Sequence, residues 1–197
     1  MSSPIENYAL IGNLRTAALV DRSGSIDWLC IPRFDSSACF ASLLGSSDNG
    51  RWFLAPKGGV KQVRRRYRDN TLILETEFET ESGVATVVDL MPVADRPDQV
   101  DVIRIVKGVR GQVPMRTEVI IRFDYGHTLP WVRKRDYGFS AVSGPNAIAF
   151  RTAVPLESKD YTTVGEFTIG EGQAETFRLT WFPSVCRHPL LLPFPTS

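Results

Sequence analysis

The sequence has few of the residues from which metal sites and disulfide frameworks are built. Its two histidines, His127 and His188, are too few for a histidine-rich metal centre. Its three cysteines are Cys30, Cys39 and Cys186, and an odd number favours reduced thiols over a disulfide framework. The first two are nine positions apart, unlike the CxxC spacing of zinc and redox pairs. We therefore expect buried free thiols and no metal site.

Long apolar runs and an excess of one charge are also missing. No run of about 18 apolar residues is present, so the sequence predicts no bilayer-spanning helix and no membrane partner. The opening MSSPIENYALIG lacks the basic start and apolar block of a signal peptide, which favours a cytoplasmic location. The net charge of +1 gives no reason to expect a nucleic-acid partner. No P-loop, GxGxxG, GxSxG or HExxH motif occurs, and we expect no cofactor.

The dominant pattern in the 197 residues is an alternation of apolar and polar side chains with a period of two. In residues 112–125, one face carries Val113, Met115, Thr117, Val119, Ile121, Phe123 and Tyr125. In residues 174–182, Phe177, Leu179 and Trp181 share a face in the same way. Many such strands, separated by turn signals, predict an all-β fold, a large antiparallel β-sandwich of two sheets. Residues 37–44, followed by Gly45, are the one short helix that we predict.

A basic run, KQVRRRYR at 61–68, is followed by an acidic one at 71–80. The basic run alone resembles a nucleic-acid patch. A hairpin with a two-residue turn at Asp69-Asn70 explains both runs, because it places Arg64 opposite Glu75 and pairs unlike charges across two strands. We favour the hairpin.

The last residues differ from the rest of the chain. After Trp181-Phe182-Pro183 comes SVCRHPLLLPFPTS, with three prolines, no alternation and no acidic residue. Proline cannot donate to a strand ladder. We therefore predict a sandwich domain over 1–184 and an irregular tail over 185–197, a linker stub or an out-of-frame end.

Two carboxylates stand in an unusual stretch, GSIDWLCIPRFDSSACF at 24–40. Asp27 and Asp35, flanked by Trp28 and Phe34, are candidates for the paired carboxylates of a glycosidase, but an acid and a base from one short loop would be unusual. An aspartate at a strand end and Arg33 in the next loop are also typical of groups that hold a turn together. A third interpretation is that this loop faces a partner domain or a sugar, since tryptophan and arginine anchor such contacts.

The same stretch carries a family resemblance. IENYALIGNLRTAALVDRSGSIDWLCIPRFDSSACFASLLG, then NGRWFLAP, VVDLMP and ETFRLTWFPS, resemble the N-terminal domain of bacterial and archaeal glycoside hydrolase family fifteen. That family contains glucoamylases, glucodextranases and prokaryotic trehalases. The resemblance implies a β-sandwich, followed in relatives by a linker and an (α/α)6 barrel. The barrel supplies both catalytic glutamates, and no residue here corresponds to either.

The resemblance therefore implies a non-catalytic domain whose partner is a catalytic barrel, with possible contact to trehalose or an α-glucan. We expect a reading frame truncated before the barrel, with a frameshift near Ser184 as one cause. We expect no catalytic residue, and expect Arg15, Trp28, Arg33 and Asp35 to lie toward the barrel or the rim of its substrate pocket. Two alternatives stay open. One is a free-standing carbohydrate-binding module that uses Trp52 and Trp131, and the other is an interaction protein that joins a separately encoded barrel.

Overall fold

The computed structural model describes residues 3–93, 96 and 98–186, and its regular structure is almost entirely β-strand. The strands, numbered in chain order, are β1 (Tyr8–Gly12), β2 (Ala17–Asp21), β3 (Ser25–Cys30), β4 (Ala38–Phe40), β5 (Arg51–Pro56), β6 (Val60–Tyr67), β7 (Leu74–Thr80), β8 (Gly83–Leu90), β9 (Val100–Ile120), β10 (Trp131–Arg135), β11 (Gly138–Ser143), β12 (Asn146–Arg151), β13 (Glu157–Lys159), β14 (Thr162–Gly170) and β15 (Ala174–Pro183). Four single turns of 3-10 helix are Ile5–Asn7, Ser42–Leu44, Ser47–Asn49 and Asp124–Gly126. The predicted all-β class is confirmed.

The strands form two antiparallel layers that share β9. The first layer has the order β1-β2-β3-β5-β9-β14-β13, with β4 added beside β3. The second layer has the order β6-β7-β8-β9-β15-β12-β11-β10. Strand β9 passes from the second layer to the first near Gly111, whose φ of 68° suits glycine and whose absent Cβ leaves room for the carbonyl of Ser82. A continuous strand therefore joins both sheets.

The inner faces of the two sheets meet in one apolar core. Trp52 of β5 packs edge-on against Phe150 of β12, with ring centroids 5.1 Å apart. Phe167 of β14 packs against Phe177 of β15, with centroids 5.5 Å apart. The alternation predicted for residues 112–125 is confirmed from 113 to 123, where every second side chain is buried, whereas Tyr125 is exposed.

A buried arginine, ion-paired within one sheet, reaches across this core. The guanidinium of Arg104 on β9 donates to Asp89 on β8 and also to the backbone carbonyls of Trp52 and Gly24 in the other sheet. Its Cζ atom lies 5.1 Å from the centroid of the Trp52 ring. Polar groups buried this deeply need partners, and here four acceptor oxygens meet one side chain.

The predicted helix at 37–44 is wrong. Residues 38–40 form strand β4, paired with β3, and only Ser42–Leu44 form a turn of 3-10 helix that ends at Gly45. The buried Cys39 and Phe40 pack in the main core, which favours extended backbone here over a short helix. The strand predicted from residue 112 begins earlier, at Val100, because β9 runs without a break through Arg110 and Gly111, and β10 and β13 were not predicted.

The hairpin of unlike charges is confirmed, with a different register. Arg64 lies opposite Glu77 and Arg66 opposite Glu75, two positions away from the predicted pairing. The connection is a six-residue loop over 68–73, closed by a hydrogen bond from the Arg68 amide to the Ile73 carbonyl, in place of the two-residue turn. The basic side chains are therefore held in ion pairs such as Arg66–Glu75 at 2.7 Å.

Of the two tryptophans proposed as sugar platforms, only Trp52 differs from its predicted environment. Trp52 is wholly buried, so its proposed use as a sugar platform is wrong, whereas Trp131 is exposed on β10. Residues 184–186 form a turn after β15, and the remainder of the predicted tail, 187–197, lies outside the described residues. In the part of the chain that the structure describes, no helix is long and apolar enough to cross a bilayer.

Candidate interface formed by loops at one end of the sandwich

The β1–β2 loop and the β3–β4 loop are hydrogen-bonded to each other. The amide N–H of Phe34 donates to the carbonyl of Arg15 at 3.0 Å. The side-chain oxygen of buried Asn13 accepts the N–H groups of Arg15 and Thr16, at 3.1 and 3.0 Å, which fixes the shape of the first loop. Leu14 is held there at a φ of 69°, a conformation uncommon for a branched side chain. Two of the loops predicted to carry site residues are therefore adjacent.

The Arg33–Asp35 pair lies on the outside of the second loop. The Nε atom of Arg33 donates to Asp35 Oδ1 at 2.9 Å, and Nη2 lies 3.4 Å from Oδ2. This hydrogen bond lowers the pKa of Asp35 and raises that of Arg33. Both side chains are largely exposed, so the pair adds little to folding stability. The pair holds the guanidinium of Arg33 in a fixed orientation at the exposed surface of the loop.

Trp28 lies in a neighbouring patch and not in the main core. A bulge between β2 and β3 pairs Leu19 with Trp28 but Val20 with Ile26, which reverses the alternation along β3. Leu29 consequently enters the core, while Trp28 packs against a small outer cluster of Cys30, Ala38 and Ala41. The ring of Trp28 also contacts Tyr125, with centroids 6.0 Å apart.

The residue pair Ser37 and Asp124 connects this patch to the β3–β4 loop. The hydroxyl of Ser37 donates to Asp124 Oδ1 at 3.3 Å, next to Tyr125. Arg15 reaches in the other direction, because its Nη1 donates to the carbonyl of Arg96 at 3.3 Å. We call residues 13–16, 31–37, 91–93, 96 and 123–128 the loop surface. The structure brings Arg15, Arg33 and Asp35 together on it, and Trp28 adjoins it through Tyr125.

Exposed apolar side chains, which the sequence analysis missed, are the most distinctive feature of the loop surface. Leu14 is 84% exposed, Phe34 63% and Val93 70%. Scattered exposed leucines are ordinary on proteins, but several on converging loops are typical of an interface. Their signal in the sequence is an apolar residue between polar loop residues, as in Asn-Leu-Arg and Arg-Phe-Asp.

Asp27, the other candidate carboxylate, is engaged inside the sheet. Its Oδ2 accepts the hydroxyl of Tyr8 at 2.8 Å, and its Oδ1 accepts that of Ser25 at 2.5 Å. Burial and the neighbouring Asp27 carboxylate raise the pKa of Tyr8. The carboxylate thus joins the β1 and β3 strands, which supports the structural interpretation of this residue. No cluster of three histidine, cysteine, aspartate or glutamate side chains suited to a metal is found among residues 3–93, 96 and 98–186.

Comparison with known proteins decides the family. A family model described as "Trehalase-like, N-terminal" matches residues 1–154, which include β1 to β12 and the whole loop surface. The chain belongs to this family of trehalase-like N-terminal domains. The resemblance stated from the sequence is thereby confirmed at the level of that domain.

Curated relatives of this trehalase-like N-terminal domain are named trehalases. Trehalase 1 of Sulfolobus acidocaldarius is 38% identical over 129 residues, 65% of this chain and 21% of that protein. A trehalase of Thermoplasma volcanium is 30% identical over 156 residues, 77% of this chain and 25% of that protein. A trehalase of Mycobacterium tuberculosis is 38% identical over 88 residues, 45% of this chain and 13% of that protein. The matched region thus spans about a quarter of these relatives or less.

Proposed function

We propose that this chain is a non-catalytic domain that packs against the catalytic part of a hydrolase of α-glucosidic bonds. The bond would be that of trehalose or an α-glucan, as the resemblance to glycoside hydrolase family fifteen implies. The proposed role is to support the catalytic barrel and to complete the rim of its substrate pocket. The single observation that carries this proposal is the loop surface, on which Leu14, Phe34 and Val93 are exposed and Arg33 is oriented by Asp35.

The physical argument is the cost of leaving this surface in water. Each exposed leucine, valine or phenylalanine gains about 1.5–3 kcal/mol when it is fully buried. A partner that covers Leu14 and Phe34 would also reduce the screening of the Arg33–Asp35 pair by water and strengthen it. Arg33 has the planar donors that suit a carboxylate or a sugar hydroxyl.

The proposed roles of the four site residues follow from their positions. Arg15 holds the β8–β9 connection through Arg96 and supports the loop that carries Leu14. Asp35 orients Arg33, and Arg33 would contact the partner or the sugar. Trp28, seated against Tyr125, would provide an apolar platform beside them.

We further propose that the domain unit is 1–184. The family model matches as far as residue 154, but β14 and β15 lie beyond it. Strand β14 pairs with one half of β9, and β15 pairs with the other half and with β12. Both sheets depend on these two strands, and β15 ends at Pro183, which supports a boundary after Ser184.

A chimaera tests the proposed packing. The matched region of the Thermoplasma volcanium trehalase is replaced by residues 1–184 of this chain, and trehalose hydrolysis and thermal stability are measured. We expect an active chimaera in which Phe34→Ser or Leu14→Ser lowers activity at least about tenfold, while the same changes leave the unfolding of the isolated chain nearly unaltered. Leu72→Ser, an exposed leucine in the β6–β7 hairpin, is the matched control.

The isolated chain tests the proposed absence of catalysis. Purified protein is assayed on trehalose, maltose and soluble starch, with an added glycosidase as the positive control. We expect no turnover. Turnover that survives repurification and is abolished by Asp27→Asn or Asp35→Asn would show a complete active site in this chain and overturn the proposal.

A further inference from the structure

A cleft opens between the two sheets at the edge strands β10 and β13. Its volume is about 680 Å³. It is lined on one side by β10 and the start of β11, and on the other by the connection from β12 and by β13. Among the described residues, β10 pairs with β11 alone and β13 with β14 alone, so within that part of the chain each presents a free edge along the cleft.

The opposite edge of the sandwich is closed, so the cleft is not a general consequence of two sheets. There, the hydroxyl of Tyr67 on β6 donates to the carbonyl of Leu10 and accepts the Leu10 amide, both at 2.9 Å. The guanidinium of Arg65 donates to the carbonyls of Asn7 and Val20, at 2.7 and 3.0 Å. Side chains of β6 thus join the edges β1 and β6, whereas β10 and β13 stand apart.

The floor of the cleft is apolar and its rim carries charges of both signs. Val154 is buried and Leu156 half-buried, and both pack on the main core. Lys134, Asp136 and Glu157 line the cleft, and all three are exposed. Hydroxyls are also present, since Thr152 and Ser158 contribute to the lining.

We propose that this cleft binds a glucose-containing disaccharide or short oligosaccharide. Its volume is within the range of about 300–1,000 Å³ typical of small-molecule sites. A pyranose has an apolar C–H face and a ring of hydroxyls that both donate and accept hydrogen bonds. An apolar floor with ammonium, carboxylate and hydroxyl groups at its rim matches both features. Mixed charges at the rim favour a neutral ligand over an anion or a cation.

The choice of glucose rests on the proposed function, since the sugar would be the substrate of the catalytic part or a piece of it. The cleft would act as an accessory site that holds sugar on the domain. It uses residues 132–139 and 152–158, whereas the loop surface uses other residues. The two proposals can therefore fail separately.

Binding of sugars to the isolated full chain tests the cleft. Trehalose, maltose and maltoheptaose are titrated by calorimetry and by saturation-transfer NMR, with sorbitol as a hydroxyl-rich control. We expect at least one glucoside to bind, and Lys134→Ala or Glu157→Gln to weaken it about tenfold, the effect of losing a hydrogen bond to a charged group. Lys107→Ala and Glu171→Gln, at exposed positions outside the cleft, are matched controls and should leave affinity unchanged.

A third variant separates the two faces of β10. Trp131 and Arg133 lie on the face away from the cleft, with the Arg133 Cζ 3.7 Å from the Trp131 ring centroid. Binding that is lost in Trp131→Ala but kept in both cleft variants would move the sugar to that face and overturn the cleft assignment. Absence of binding by every glucoside would also overturn it, and neither result bears on the chimaera experiment.

Discussion

The carboxylate of Asp89 meets the guanidinium of Arg104 at 2.7 Å inside the sandwich, where their side chains are 1% and 0% exposed. Both residues belong to one sheet, yet two further donors of Arg104 reach the carbonyls of Trp52 and Gly24 in the other sheet, each at 2.8 Å. The pair therefore fixes the distance and the orientation between the layers, in addition to the apolar contacts around it.

Replacing Arg104 by methionine is expected to destabilise the domain by about 3–5 kcal/mol, because Asp89 would be left buried without its partner. Urea unfolding of the isolated chain measures this loss. The double change Arg104→Met with Asp89→Leu should restore part of it, since no unpaired charge then remains. Arg33→Met, in the exposed pair, should cost less than about 1 kcal/mol. A loss of less than about 1 kcal/mol for Arg104→Met would contradict the stabilising role given to the buried pair.

Gly24→Ala is expected to destabilise the domain by about 1–3 kcal/mol or more. Gly24 has a φ of 92°, and an added Cβ would lie 2.5 Å from the Leu54 carbonyl oxygen, which is backbone and cannot rotate away. The shift would also disturb the carbonyl that Arg104 binds. Gly58→Ala is the control, because no atom lies within 4 Å of its added Cβ. Equal melting temperatures for the two variants would count against this account.

Acid should destabilise the domain partly through Glu118. Burial raises the pKa of Glu118, but hydrogen bonds from Arg51 and Arg116 outweigh it and hold the pKa below the ordinary value of 4.5. A carboxyl whose folded-state pKa is lowered stabilises the fold above its unfolded-state pKa, and this contribution is lost as the pH falls through the folded value.

Glu118→Gln should therefore lower stability at pH 7 and make the decline below about pH 4.5 shallower, as measured by urea unfolding across that range. Glu171→Gln, at an exposed turn, is the control and should retain the parent profile. A Glu118→Gln profile parallel to that of the parent would show that this carboxyl does not contribute to acid sensitivity.

The three thiols should react at very different rates. Burial, together with the nearby Cys30, raises the pKa of Cys39, and burial raises that of Cys30, so both remain protonated and covered near pH 8. Cys186 is exposed. Alkylation by iodoacetamide followed by peptide mass spectrometry should modify Cys186 first, and Cys186→Ser should remove the fast phase. Rapid labelling of Cys39 in the folded protein would contradict the burial of this thiol in the core.

The alternation of apolar and polar residues predicted most of the strands, because the polarity of each side chain in a half-buried strand indicates whether it faces the core or the solvent. It cannot assign the face of Trp28, because the bulge in β3 opposite Leu19 and Val20 changes the face by one residue. It failed for the β6–β7 register, which depends on the length of a loop and not on the strands themselves. A period of two contains no information about an extra residue in a bulge or about the length of a connecting loop.

The candidate site shows the same limit. Arg33 and Asp35 were identified because their stretch resembles the family signature, and the structure pairs the two side chains. Leu14 and Val93 were not, since their exposure depends on how the loops pack: loop 13–16 meets loop 31–37 through the hydrogen bond from the Phe34 amide to the Arg15 carbonyl, and meets Arg96 through the Arg15 guanidinium. Sequence distance does not reveal that packing. The cleft between β10 and β13 was equally inaccessible, as neither strand was predicted.

The shared strand β9 also has a consequence for synthesis on the ribosome. A nascent chain that has emerged only as far as Ile120 contains all 21 residues of β9 but neither β14 nor β15. One edge of β9 would then be unpaired along both halves, with apolar side chains on one face, a template for association with other nascent chains. Closure of the sandwich must wait until residues near Pro183 leave the exit tunnel, so slow translation would prolong the aggregation-prone interval.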